Sequence, residues 1–243
     1  MRGVYVVLGA TAYVVFFVTF LYLIGFTGSL PLLTVTVDRG PAAPLAQALI
    51  GNAGLIALFG LQHSIMARKG FKAQWTRIVP EALERSAYVL VSSVILIILF
   101  VGWRPIPTVL WSTSGAAAGI LWVIFGLGWG LVLLSTFLIN HFELFGLQQV
   151  WLHLRQRAAA APQFYQPLLY KFVRHPLYLG FIIAFWATPV MTLGHLVLAI
   201  GMSIYMLVAI PIEERDMVDL FGDDYRAYQS RVGMLVPGMG KRN

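Results

Sequence analysis

A polytopic bundle of five to six transmembrane helices, all-α, is the fold this sequence predicts, and three features predict it. Of 243 residues, 59% are hydrophobic and only 11% are charged, whereas a soluble domain carries about a quarter charged residues. The apolar residues come in unbroken runs long enough to cross a bilayer. The Lys and Arg residues gather in alternate connections, as they do when loops face two different compartments. No Ser/Gly/Pro-rich linker divides the chain, so residues 1–243 read as one membrane domain.

The first span is Val4 to Phe26, uncharged throughout and, at about 1.5 Å per residue, long enough for a ~30 Å hydrocarbon core. Only Arg2 precedes it and no small-residue cleavage pattern follows, so it reads as a retained span rather than a signal peptide. Gly28, Pro31, Gly40 and Pro41 mark a loop. Span two runs from about Leu45 to Met66 and carries Asn52, Gln62, His63 and Ser64, which make its later part polar on one face. After a basic segment, span three covers about Ser86 to Trp103 and ends at Pro105 and Pro107, with Trp103 and Trp111 placed for an interfacial aromatic belt. Span four, about Ala116 to Ile139, contains G-L-G-W-G at Gly126 to Gly130, small residues that favour close helix packing. Its Trp122, Trp129 and Phe137 are large enough to fill space that a lipid tail would need.

The last apolar block, Leu177 to Ile212, is interrupted by Pro189 and Gly194, which splits it into a hairpin of Leu177 to Val190 and His195 to Ile210. The first arm is short for a full span. The tail from Asp216 to Val232 mixes apolar, aromatic and charged residues as an amphipathic helix, broken near Gly222, that lies on a membrane surface or over a site.

Six spans with the N-terminus inside place Arg2, five cations from Arg68 to Arg85, Arg155, Arg157, Lys171, Arg174 and the five of the tail on one side. Only Arg39 and Arg104 remain on the other, so the positive-inside rule is obeyed almost completely. Both termini then face the cytoplasm of a multi-pass protein of a bacterial inner membrane. The net charge of +7 belongs to these membrane-flanking residues, which meet lipid headgroups. No nucleic-acid partner and no obligate protein partner are expected. The chain has no cysteine, which removes disulfides, thiolate metal sites and a cysteine nucleophile.

Two polar clusters flank the hairpin. R-H-P-L-Y-L-G (Arg174 to Gly180) opens it, with Pro176 suited to the first position of a helix whose N-terminal end binds carboxylate or phosphate. The plainer reading of Arg174 is a headgroup anchor. Glu213 and Glu214 close the hairpin after Pro211; adjacent acids at a membrane edge need cations or polar ligand groups. They can pair with Arg174 across the hairpin, accept from a ligand, or simply end a solvated helix. Because the segment between crosses and returns, the two clusters should meet on one side. Upstream, N-H-F-E places His141 and Glu143 at the end of span four as candidate bases, with His63 near the same side. A lone His facing a bundle is more often a structural hydrogen-bonder. His195 reads as a non-catalytic turn residue and His153 as solvated. His63, His141 and His175 follow no metal-ligand spacing, and no metal is expected.

The pattern R-H-P-x-Y-x-G, an apolar hairpin, then E-E followed by F-G-x-x-Y-x-x-Y and a late Val-Pro resembles the isoprenylcysteine carboxyl methyltransferase and phospholipid methyltransferase superfamily over about Lys171 to Pro237. Met217 stands where that superfamily often has Leu. L-Q-H-S (Leu61 to Ser64) and N-H-F-E-L-F-G-L-Q-Q (Asn140 to Gln149) further resemble its methanethiol S-methyltransferase branch, which makes dimethyl sulfide. The resemblance implies S-adenosyl-L-methionine as cofactor, bound by the half at about residues 170–237. His175, Leu177, Tyr178, Glu213, Glu214 and Tyr225 would contact it, with Arg174 and Gly180 shaping the pocket. It implies in-line methyl transfer to a small volatile thiol, which the charge count puts at the cytoplasmic side; location alone makes His141 the first candidate base, Glu143 or a water the relay and His63 the outsider. A phospholipid or isoprenylcysteine methyltransferase is the alternative within the superfamily. A transport protein is the alternative outside it, disfavoured by midspan segments nearly free of charge and by the lack of an internal repeat.

Overall fold

An apolar run in hydrocarbon has no water to satisfy its N–H and C=O groups, and the helix satisfies them within the run itself. The computed structural model describes residues 2–241, so Arg242, one of the cations counted above, lies outside the described residues. The helices are α1 (Arg2–Thr27), α2 (Leu45–Ala67), α3 (Lys69–Trp75), α4 (Glu81–Gly102), α5 (Gly115–Ile139), α6 (His141–Leu144), α7 (Leu147–Arg155), α8 (Pro176–Trp186), α9 (Leu193–Phe221) and α10 (Asp223–Arg231). Two short strands, β1 (Val109–Ser112) and β2 (Val190–Thr192), pair antiparallel. Five helices, α1, α2, α4, α5 and α9, are long and apolar enough to cross a membrane, and the chain is an integral membrane protein. Rows of exposed Val, Leu, Ile and Phe on these helices, such as Val7, Val14, Val18 and Leu21 on α1, supply the lipid-facing surface.

The four upstream spans match the sequence expectation to within a few residues. The hairpin differs. Its first arm is helical only over Pro176–Trp186, which at 1.5 Å per residue covers about half of the hydrocarbon core, and the chain continues extended into β2. Its second arm does not stop before Pro211: α9 runs through that proline to Phe221. An interior proline removes one helix hydrogen bond, and the side-chain bonds made by Glu213 and Glu214 one turn later offset that loss. The amphipathic tail breaks at Gly222 (φ 56°), as expected, but its first part belongs to α9.

The chain packs as two compact units. One contains the described residues up to Ser112 with Asn140–Ala160 and Val190–Gly201. There α4 packs between α1 and α2, and α7 lies against α1 and α4. Trp103 is not at an interface: it is fully buried, donates Nε1–H to the Val37 carbonyl at 3.0 Å and meets the Phe26 ring edge-on. His153 stacks on Tyr5 at 4.8 Å instead of standing in solvent. The second unit contains Thr113–Ile139, Ala161–Pro189 and the chain from Met202. Its centre is the crossing of α5 and α8, where Gly128 and Gly180 let the two backbones touch. Of the three span-four aromatics, only Trp129 is buried, against Phe181 and Phe185; Trp122 and Phe137 are exposed.

A Cβ added at Gly180 would stand 2.8 Å from both the Gly128 carbonyl oxygen and the Val132 nitrogen, whereas one at Gly126 meets nothing within 4 Å. Overpacking rigid backbone costs about 1–3 kcal/mol. Gly180→Ala should therefore lower the thermal unfolding midpoint of the detergent-solubilised protein, and Gly126→Ala should leave it unchanged.

Candidate active site

The site is assembled where α8 begins. Val173 bridges to Gly233 in parallel, Arg174 N donates to the Gly233 carbonyl at 2.9 Å and His175 N to that of Met234 at 3.2 Å. This short extended ladder delivers the chain to Pro176, the first residue of a helix that has no side-chain cap. Proline fits there because its missing N–H would find no helical acceptor anyway.

Behind that helix start lies a buried ion pair. Arg174 Nε donates to Glu214 Oε1 at 2.6 Å, and both side chains have no solvent exposure. Arg174 Nη1 also donates to the carbonyls of Gln229 (3.2 Å) and Val232, and Nη2 to that of Gly240 (3.0 Å). Glu214 accepts two further bonds, from His175 Nε2 at 3.1 Å and from Gln229 Nε2 at 2.9 Å. Burying two charges is costly unless each remaining lone pair and proton finds a partner. Here the guanidinium and the carboxylate are surrounded by them. The two polar clusters of the hairpin thus meet, and Glu214 takes the pairing role with Arg174.

In front of the pair, Tyr178 donates its hydroxyl to Glu213 Oε1, and the His175 ring lies over that of Tyr178 at 5.7 Å and 29°. Glu213, Tyr178 and Leu177 are half-buried. A carboxylate, two near-parallel rings and an uncapped helix N-terminus therefore share a small region. Gly180 does not line it; its Cα surface is used against α5. Tyr225 is buried in an aromatic cluster with Tyr228, Val232, Phe164, Met217, Val218 and Phe221, a packing position. Burial pushes the Tyr225 and Tyr170 phenols above their usual range and that of Tyr228 up to about 12. These hydroxyls stay neutral beside Glu214, and Tyr228 donates to the Tyr170 carbonyl at 2.6 Å.

The candidate bases belong to the other unit. His141 is 6% exposed; its Nε2 shares a hydrogen bond of 2.8 Å with the Tyr13 hydroxyl, and its ring meets Phe145 edge-on at 4.9 Å. Burial lowers its pKa, which favours the neutral imidazole. Glu143, two residues on, is exposed and held by Asn140 Nδ2 at 2.8 Å. The one-turn helix puts the two on different faces, so the structure does not bring Glu143 to His141 as a relay. His63 Nδ1 meets Ser92 Oγ at 3.3 Å, and its ring stacks with Phe59. Its neighbour Tyr88 belongs with Phe16 and Phe145 to one apolar cluster, and that cluster stands between His63 and His141. Tyr13, the partner of His141 in the first unit, and Gln229, a partner of Glu214 in the second, are contacts that sequence reasoning missed. Tyr13 is one of three tyrosines in an apolar span, and Gln229 is one polar residue in a polar tail, so neither carries a distinctive signal.

Comparison with known proteins adds an independent line. The family described as NnrU protein matches residues 53–236. The chain is 55% identical to methanethiol S-methyltransferase 1 of Bradyrhizobium diazoefficiens, over 94% of this chain and 80% of that protein. It is 51% identical to the methanethiol S-methyltransferase of Mycobacterium tuberculosis, over 97% of each. Identity to methanethiol S-methyltransferase 2 of B. diazoefficiens is 48%, over 95% of this chain and 89% of that protein. No solved structure matches the chain.

Removing one member of a buried pair leaves the other charge uncompensated, at a cost of about 3–5 kcal/mol. Arg174→Met should accordingly unfold at a much lower temperature than the wild type in the same detergent. The double variant Arg174→Met, Glu214→Leu should recover part of the loss, a non-additivity that thermal unfolding of Arg174→Met, Glu214→Leu and the double variant measures.

Proposed function

We propose that this chain, which belongs to the NnrU protein family and to the methanethiol S-methyltransferases, transfers a methyl group from S-adenosyl-L-methionine to methanethiol, forming dimethyl sulfide. It is a methyltransferase; the donor, the thiol acceptor and the cytoplasmic location of the reaction are the content of the proposal. The observation that carries it is the set of groups in front of the buried Arg174–Glu214 pair. Glu213 supplies a carboxylate suited to an ammonium or to ribose hydroxyls. The stacked His175 and Tyr178 rings offer a surface for an adenine, and the uncapped N-terminus of α8 suits a carboxylate. These are complementary to the parts of S-adenosyl-L-methionine, so the residues present fit it.

When bound, that cofactor supplies an electrophilic methyl on a sulfonium centre. The protein's part is to hold donor and acceptor in line, which converts an encounter into an oriented step, and to keep the surroundings apolar, because opposite charges vanish as thiolate and sulfonium react. An alkyl thiol is mostly protonated at neutral pH, and only its thiolate is a good nucleophile. We assign the proton to His141. Its burial keeps the imidazole neutral, the form that can accept, and the Tyr13 hydroxyl restrains the ring at Nε2. Arg174 and Glu214 act through others, by positioning His175 and the C-terminal segment.

Membranes containing the chain, given S-adenosyl-L-methionine and methanethiol, should release dimethyl sulfide into the headspace. Methyl transfer to phospholipid or to a prenylcysteine analogue instead, with no dimethyl sulfide, would overturn the acceptor. Glu213→Gln loses a charge-assisted bond and should raise KM for S-adenosyl-L-methionine by about 10- to 100-fold, with less effect on KM for the thiol.

His141→Ala should reduce kcat by about 10²–10⁴-fold, the range for loss of a general base. A base works when deprotonated, so wild-type kcat should rise with pH through the His141 pKa. Burial lowers that pKa, so the midpoint of the rise should lie below the ordinary imidazole value of about 6.5. A pH–rate profile that keeps the same acid limb in His141→Ala would remove His141 as the base.

A further inference from the structure

The nine residues of α7, L-Q-Q-V-W-L-H-L-R, have a well-defined inner face. A Cβ at Gly9 of α1 would stand 2.8 Å from Val150, and one at Gly146 would stand 2.7 Å from the Ser86 nitrogen of α4, so α7 rests directly on both spans. Gly9 and Ser86 lie only a few residues into their helices, about 8–10 Å at 1.5 Å per residue. The helix therefore lies across the ends of two spans, where lipid headgroups meet acyl chains.

Its outer face is built differently. Trp151 is half exposed, and the Arg155 guanidinium lies 4.7 Å from the centre of its ring. At Gln156 the backbone turns left-handed (φ 55°), and Arg157 N donates to the Leu152 carbonyl at 3.0 Å, which folds Arg157 back towards the helix. Trp151, Leu152, Arg155 and Arg157 line one groove of about 310 Å³. Three other cations meet carboxylates, Arg174 with Glu214, Arg226 with Asp223 and Lys72 with Glu84, and Arg39, Arg85, Arg104 and Arg231 donate to backbone carbonyls. Among the described residues, neither Arg155 nor Arg157 has such a partner, and α7 itself contains no acid.

We propose that this groove binds the phosphate of an anionic phospholipid. Two guanidinium groups present forked donors that match phosphate oxygens. Trp151 supplies the amphipathic ring that settles at the headgroup boundary, and Leu152 gives the groove an apolar wall for the first part of an acyl chain. A free phosphate uses the arginines but has no use for the tryptophan or the leucine. That distinction favours the lipid over a soluble anion. None of its lining residues is assigned to methyl transfer, and the site stands whether or not that assignment holds.

Native mass spectrometry of the full chain in detergent, titrated with phosphatidylglycerol or phosphatidylcholine, tests the proposal. The wild type should retain phosphatidylglycerol in preference to phosphatidylcholine. R155Q/R157Q should bind phosphatidylglycerol about 30-fold more weakly, on the scale of two arginines near a charged membrane surface, and R155K/R157K should fall between the two. Thermal unfolding in phosphatidylcholine should be the same for wild type and R155Q/R157Q, because both side chains are exposed. If R155Q/R157Q unfolds, W151L decides the same question and should also weaken phosphatidylglycerol binding. Unchanged phosphatidylglycerol affinity in a folded R155Q/R157Q or in W151L would overturn the site. So would equal retention of phosphatidylcholine, or displacement of the lipid by inorganic phosphate at matching concentration.

Discussion

Arg174 and Glu214 meet at 2.6 Å with no solvent on either side chain, and four separate stretches of the second unit are arranged to make that possible. The start of α8 brings the arginine, the turn after Pro211 brings the glutamate, α10 brings Gln229, and the segment from Val232 to Gly240 brings carbonyls. Charges removed from water on this scale are tolerated only in a frame that meets nearly every donor and acceptor. The pair therefore acts less as a source of stability than as a demand for one arrangement. Sliding α8 by a single residue would leave a guanidinium facing apolar side chains.

That demand places the neighbouring residues as well. Successive helix residues differ by about 100° around the axis, so fixing Glu214 inward sets Glu213 to one side, where Tyr178 meets it. In the extended ladder before α8, His175 follows Arg174 to the edge of the pair, with its ring over Tyr178. Two adjacent acids that look equivalent in the sequence are thus given different tasks. Glu214, surrounded by Arg174, His175 and Gln229, holds the frame; Glu213 stands in front of it. The phenols of Tyr170, Tyr225 and Tyr228 stay neutral around the frame chiefly because burial raises their pKa values, with the Glu214 charge adding to this at Tyr225 and Tyr228.

The spans and the meeting of the two hairpin clusters were legible in the sequence because they depend on properties carried by each residue. Run length and hydropathy specify a crossing, and two crossings bring the ends together. What was not legible depends on distant partners. Pro211 is locally a stop signal, yet α9 continues because bonds to residues some forty positions away hold the next turn. The pairing of Val109–Ser112 with Val190–Thr192 joins short segments too weakly patterned to be read as strands. Trp103 looked interfacial until the Val37 carbonyl gave its N–H a buried partner. Gly180 sits in a motif that implies a ligand, and the structure uses its missing Cβ for the contact with α5. Tyr13 became visible only when His141 was placed against it.

The distribution of polar groups along the spans also separates an enzyme from a transporter on physical grounds. A transport path places exchangeable polar or ionisable groups near the bilayer midplane, where a moving ion or solute can take over their bonds. Here the hydroxyls of Thr19, Thr27, Ser93 and Ser135 are turned back onto carbonyls one helical turn earlier, at 2.7–2.9 Å. Such a bond commits the hydroxyl's one proton within its own helix, so it cannot be donated to a passing solute. Asn52, the buried amide of α2, is held by both the N–H and the carbonyl of Arg104. The Glu, Arg and His side chains with chemical capacity lie instead near helix ends, where Arg174, His175, Glu213 and His141 are found. Groups concentrated at helix ends suit chemistry at a membrane boundary, and spans whose midspan hydroxyls and Asn52 amide are bonded within the protein supply rigid support for them.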